Sequence, residues 1–197
     1  MRSSGYSTNE CALCFIPPQE LWPEIQKIRQ KYDPAYQRWM PHINIFFPFI
    51  DSRYFPQISE YIQNDIIKKH DFKAFDIQLS RFDVFDRVRG QLTQQENTRI
   101  ETLFLRPNKY GSIQIQRLYE QLATIWHEFR TWDTYQNNYI YNPHLTVGKF
   151  KISDLSYYKM QFQSNWKSIT WKCDAIYLIS RTGNGAFQIK ERIPFCE

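Results

Sequence analysis

The chain has 197 residues, 42% of them hydrophobic and 17% aromatic, enough to bury a sizeable core as one domain or two closely joined lobes. A formal charge of +5, carried by scattered Lys and Arg, excludes a disordered basic tail and suits an anionic ligand. The polar opening Met1–Cys11 has no signal-peptide core, and no run approaches the roughly 18 apolar residues of a membrane span. The expectation is therefore a cytoplasmic protein, or a nuclear one, with no membrane partner.

Taken in chain order, Ala12–Ile16 reads as a short strand closed by Pro17-Pro18, followed by a helix with Leu21, Ile25, Ile28 and Tyr32 on one face. Cys11-Ala12-Leu13-Cys14 spells a CxxC, but no second pair completes a metal cage, so these cysteines are expected to line the strand. After the turn-rich Asp33-Pro34-Ala35-Tyr36 comes a histidine-bearing strand ended by Pro48. Asp51-Ser52 then caps a helix carrying Phe55, Ile58, Ile62 and Ile66. Phe72–Phe85 and Arg99–Leu105 read as strands around a polar loop, Asp86–Thr98, and a change of parity after Leu79 predicts a bulge near Ser80-Arg81. Ser112 opens a helix with Ile115, Leu118, Leu122, Ile125 and Phe129 on one face, and a linker, Thr131–Asn138, leads to a second histidine strand. Ser153 or Asp154 caps a helix with Leu155, Tyr158 and Phe162 inward, and the chain closes on a hairpin turning at Thr182-Gly183-Asn184-Gly185. Each half thus offers helix, histidine strand, helix and strand pair, with the halves meeting near residues 106–112 of one domain, 1–197.

The chemistry sits in two segments that echo each other, Pro41-His42-Ile43-Asn44-Ile45-Phe46 and Pro143-His144-Leu145-Thr146-Val147-Gly148. Strand alternation puts His42 with Asn44 on one face and Ile43 with Ile45 on the other, and it sorts His144, Thr146, Leu145 and Val147 in the same way. A single histidine on a strand is more often structural than catalytic, but two matching copies in equivalent places point to a joint site. Two imidazoles can serve as acid and base at one pH, while the Asn44 amide and Thr146 hydroxyl can donate to phosphoryl oxygens. No HxH or HExxH accompanies either histidine, so neither metal nor cofactor is expected.

These segments resemble the paired HxT/S motifs of the two-histidine (2H) phosphoesterase superfamily, which includes 2'-5' RNA ligase-like proteins and cyclic nucleotide phosphodiesterases. The opening strand and helix and the closing Ile176–Arg181 with Phe187–Phe195 are similar to that family's layout, so the resemblance covers nearly the whole chain. It implies an α+β fold of two pseudosymmetric antiparallel lobes with outer helices around a central cleft. It also implies metal-independent hydrolysis of 2',3'-cyclic phosphates on RNA ends or nucleotides, with His42 as general acid and His144 as general base, or the reverse. The family has Thr or Ser where this chain has Asn44, so the first half-site would hold phosphate through an amide. The resemblance places Arg181 at the cleft, where it would either pair with phosphate or lie on the surface. Phe46 and Phe150 could stack on a base or belong to the core, and Tyr141 and Lys149 could contact ligand or water. His70 and His127 are expected to be solvated, and the protein to be a monomer. The alternatives are a 2'-5' oligonucleotide phosphodiesterase, an RNA-end-trimming nuclease, a non-catalytic RNA or nucleotide-binding module, and an interaction protein with no phosphate ligand.

Overall fold

The computed structural model describes residues 7–85, 99–125 and 141–197. The predicted loop Asp86–Thr98 and linker Thr131–Asn138, with His127 and Phe129, lie outside the described residues. In chain order the elements are β1 (Ser7–Thr8), β2 (Cys11–Phe15), α1 (Trp22–Tyr32), β3 (Ile43–Phe46), β4 (Phe49–Ile50) and α2 (Phe55–Tyr61), whose end widens into π-type turns over Ile62–Lys68. Then come β5 (Phe75–Val84), β6 (Ile100–Pro107), α3 (Lys109–Ile125), β7 (Leu145–Lys151), α4 (Ile152–Asn165), β8 (Ile169–Cys173), β9 (Ala175–Ser180) and β10 (Gln188–Pro194). No helix among the described residues is long and apolar enough to cross a membrane.

Two four-stranded antiparallel sheets form, ordered β10-β9-β2-β3 and β7-β6-β5-β8. The α+β fold class expected from the sequence is what folds. The expected junction near 106–112, however, does not divide the sheets. β6 and β7 flank it within one sheet: the pair β5–β6 of the first half joins β7 and β8 of the second, while the pair β9–β10 of the second half returns to β2 of the first. Each half therefore lends a pair of strands to the other's sheet. Leu13 and Ile43 of one sheet and Ile77, Leu105 and Val147 of the other join one continuous apolar core, covered by Ile25, Ile66, Leu118 and Leu155 from the helices.

The histidine strands β3 and β7 are the edge strands of their sheets and touch each other. α1, which connects two strands of the first sheet, packs on β7 of the second. There Tyr32 meets Phe150, Tyr158 and Phe162 at centroid separations of 5.0, 5.2 and 5.5 Å. Gly148 permits this approach, since a Cβ there would lie 2.8 Å from that of Tyr32 and 2.7 Å from the Phe150 ring.

Local chemistry explains the other boundaries. α3 starts ahead of Ser112 because Asn108 Oδ1 accepts from the Gly111 N–H at 3.1 Å, and Asp51 caps its turn through the Arg53 N–H. α4 starts at Ile152 with no side-chain cap, so the expected Ser153 or Asp154 cap is not used. The bulge predicted near Ser80-Arg81 is present, and Gly183 turns the closing hairpin at φ 55°. Cys11 and Cys14 both line β2 as free thiols but belong to apolar clusters on opposite faces of the strand.

Candidate active site

The two motifs share one backbone device. His42 Nδ1 lies 2.7 Å from the Met40 carbonyl oxygen, and His144 Nδ1 lies 2.7 Å from the Asn142 carbonyl oxygen, in each case two residues back. A carbonyl only accepts, so Nδ1 carries the proton and Nε2 is left to exchange one. Pro41 and Pro143, both buried, stand between each histidine and its carbonyl partner and restrict the backbone there.

Packing then fixes each ring. Trp39 stacks on His42 at 4.5 Å and 21°, while Phe85 meets His144 edge-on at 5.1 Å and Phe104 lies 5.0 Å away. Burial lowers the His42 pKa to about 4, opposed by the Met40 carbonyl and reinforced by the charges of Arg29 and His144. Burial also lowers that of His144, with Arg106 adding to it. Both imidazoles are thus neutral near pH 7 in the free protein, and His42 senses His144 across the lobes.

Each histidine has an arginine–carboxylate pair nearby. Arg29 and Asp33 are both buried, joined at 2.8 and 2.9 Å. Arg106 Nε donates to buried Asp83 at 2.9 Å, and Lys159 donates to the other carboxylate oxygen at 3.1 Å. Burial pushes the Asp83 carboxyl up, but the Val84 N–H, Lys159 and Arg106 outweigh it and hold the pKa below its ordinary value.

Asn44 Oδ1 is buried with no hydrogen-bond partner among the described residues, an orphan beside His42 that invites a ligand group. A half-turn of the amide exchanges Oδ1 for Nδ2, so this place can present a donor to an anion. Thr146 holds the equivalent place after His144, half-buried and paired across the strands with Phe104. Tyr141 ties the half-sites together: its hydroxyl donates to the Asn44 carbonyl at 2.6 Å, and its ring stacks on Tyr119 at 4.1 Å and 9°. Burial pushes its phenol up, keeping it a donor. The sequence left Tyr141 open between ligand and water, and here its hydroxyl is taken up by the Asn44 carbonyl.

Two further positions were left open by the sequence. Phe46 and Phe150 are 1% and 5% exposed and sit in the core, so neither offers a face to a base. The cause is a bulge in each histidine strand. Cys14 pairs with Asn44 and Leu13 with Phe46, leaving Ile45 as the extra residue, while Phe104 pairs with Thr146 and Leu103 with Gly148, leaving Val147. Parity therefore flips one residue after each phosphate-binding candidate. Arg181 donates through Nε and Nη2 to the Asn9 carbonyl at 3.3 and 3.2 Å and lies over the Phe187 ring at 5.2 Å, while its Nη1 is buried with no partner among the described residues. Lys149 and His70 are exposed.

Sequence reasoning missed Trp39, Phe104, Arg106 and Asp83. A charge set inside the apolar run Phe82-Asp83-Val84, matched by Arg106 on the next strand, was the available signal for the last pair.

A profile of the 2'-5' RNA ligase superfamily matches residues 17–185. Comparison with curated proteins gave no match. Among solved structures, Escherichia coli LigT complexed with 3'-AMP is 12% identical with a TM-score of 0.56, covering 96% of this chain and 99% of its own. TT0787 of Thermus thermophilus is 13% identical with a TM-score of 0.55, covering 94% and 97%. Kluyveromyces marxianus Usb1 with uridine monophosphate is 9% identical with a TM-score of 0.50, covering 95% and 99%. These likenesses show a common fold, and the profile spans most of the sequence. The chain belongs to the 2'-5' RNA ligase superfamily of two-histidine phosphoesterases.

Proposed function

We propose that this protein is a metal-independent phosphodiesterase that opens 2',3'-cyclic phosphates on RNA ends or nucleotides. Membership of the superfamily supports phosphodiesterase-type activity in general, and the cyclic substrate is our reading of this site. The observation that carries it is the matched pair His42 and His144, each pinned through Nδ1 to a carbonyl two residues back. Nucleotide ligands in two relatives, 3'-AMP in LigT and uridine monophosphate in Usb1, support a nucleotide site in the same fold.

In this mechanism, His144 Nε2 takes a proton from water as the water oxygen attacks phosphorus. The bond from phosphorus to one ribose oxygen breaks, and His42 Nε2 delivers a proton to that oxygen. Asn44 and Thr146 donate to the remaining phosphoryl oxygens, where charge develops. His42 must be protonated to act as the acid. The substrate's own negative charge supplies that bias by raising the imidazole pKa on binding.

The test is a substrate panel run in chelator, comparing nucleoside 2',3'-cyclic phosphates, cyclic-phosphate RNA ends, 2'-5' oligonucleotides and linear RNA. Cyclic phosphates should be opened with the highest kcat/KM, and His42→Ala or His144→Ala should each cost about 100- to 10,000-fold. No opening of any cyclic phosphate, or undiminished opening by either variant, would sink the proposal.

A further inference from the structure

The ring stacked on His42 also forms the wall of a cavity. Trp39, stacked on His42, also lines a groove of about 420 Å³ between α1 and the β9–β10 hairpin, a volume in the range of small-molecule sites. The groove therefore begins one ring away from the candidate acid.

Its walls divide into three kinds of group. Trp39 and Phe187 are already stacked, at 3.8 Å from each other and against His42 and Arg181 on their outer sides. Trp22 and Tyr36, in contrast, are half-buried rings that stack on no other ring among the described residues, and the indole N–H of Trp22 donates to the Pro17 carbonyl at 2.8 Å, which fixes the ring. Gln19 and Gln37 are exposed amides, each able to donate and accept as the edge of a nucleobase requires. Arg38 supplies a guanidinium at the rim, and among the described residues no carboxylate lines the groove. Half-exposed aromatic rings, paired donors and acceptors and the Arg38 guanidinium match a nucleotide's base and phosphate.

Building on the catalytic reading above, we propose that this groove holds the penultimate nucleotide of an RNA 3' end whose terminal cyclic phosphate lies between His42 and His144. The base stacks on Tyr36 or Trp22, and the linking phosphate meets Arg38. The preferred substrate is then an oligonucleotide end rather than a free cyclic mononucleotide.

The test is a binding measurement, so that it stands apart from turnover. Titration calorimetry compares a nucleoside 3'-phosphate with a dinucleotide ending in the same 3'-phosphate, on the intact protein and on Arg38→Glu and Gln37→Glu. Both substituted side chains are exposed, so the fold should tolerate either change. The dinucleotide should bind about tenfold tighter or more, and both variants should bring the two affinities together. Equal affinities on the intact protein, or an advantage that survives both variants, would overturn the groove assignment. A dinucleotide advantage without any opening of cyclic phosphates would uphold the groove and sink the catalytic reading instead.

Discussion

At the scale of single residues, the site rests on two imidazoles held neutral. With a pKa near 4 in the folded protein and about 6.5 in the unfolded chain, His42 binds its proton in the unfolded state first. Stability therefore falls as the pH is lowered through that window, by up to about 1.4 kcal/mol per pH unit for one proton. Urea midpoints between pH 7 and 4.5 should show this slope, and His42→Asn should flatten it. By NMR the His42 ring should titrate near 4 in the free protein and move upward when a nucleoside 3'-phosphate is added; an ordinary titration near 6.5 in the free protein would contradict the burial argument. The histidines and their companions Asn44 and Thr146 were legible in the sequence, because alternation along a strand is a local rule. The carbonyls of Met40 and Asn142 were not, since they depend on how the backbone turns before each strand.

At the scale of elements, the paired bulges at Ile45 and Val147 shape the site most. They let each strand present a histidine and a phosphate-binding candidate to one face, then turn Phe46 and Phe150 into the core. A period-two pattern carries no mark of an inserted residue when both neighbours are apolar, as in Ile45-Phe46, so alternation alone left both phenylalanines open between the cleft and the core. At Ser80-Arg81 the polar–apolar pattern itself broke step, and there the bulge was readable. Tyr141 braces the first motif from beside the second, and Tyr141→Phe keeps its stacking on Tyr119 while removing the bond to Asn44. The expected cost is about 1–2 kcal/mol of stability. Because Asn44 would be less firmly placed, kcat should also fall more than KM rises. Unchanged kcat with the same loss of stability would reduce Tyr141 to a structural residue.

At the scale of the whole molecule, the exchange of the pairs β5–β6 and β9–β10 between the halves joins them into one core, and α1 binds the first sheet to the second strand motif. The duplicated order of elements was legible as helix, histidine strand, helix and strands. The exchange was not, because strand partners far apart in sequence leave no local signature. Unfolding should be a single transition: fluorescence, to which Trp39 contributes beside the first sheet and Trp171 within the second, should coincide with circular dichroism, whereas separate midpoints would mean that the lobes fold independently. The joining of the lobes also bears on catalysis, since an acid on one sheet and a base on the other can serve one phosphate only if the sheets are held together. The most direct measurement is therefore a double-mutant cycle on kcat/KM for a nucleoside 2',3'-cyclic phosphate in chelator, using His42→Ala, His144→Ala and the pair. Histidines acting as one unit predict that either single change costs nearly as much as both together. Losses that simply multiply, or a single variant that keeps its activity, would contradict the paired-histidine site.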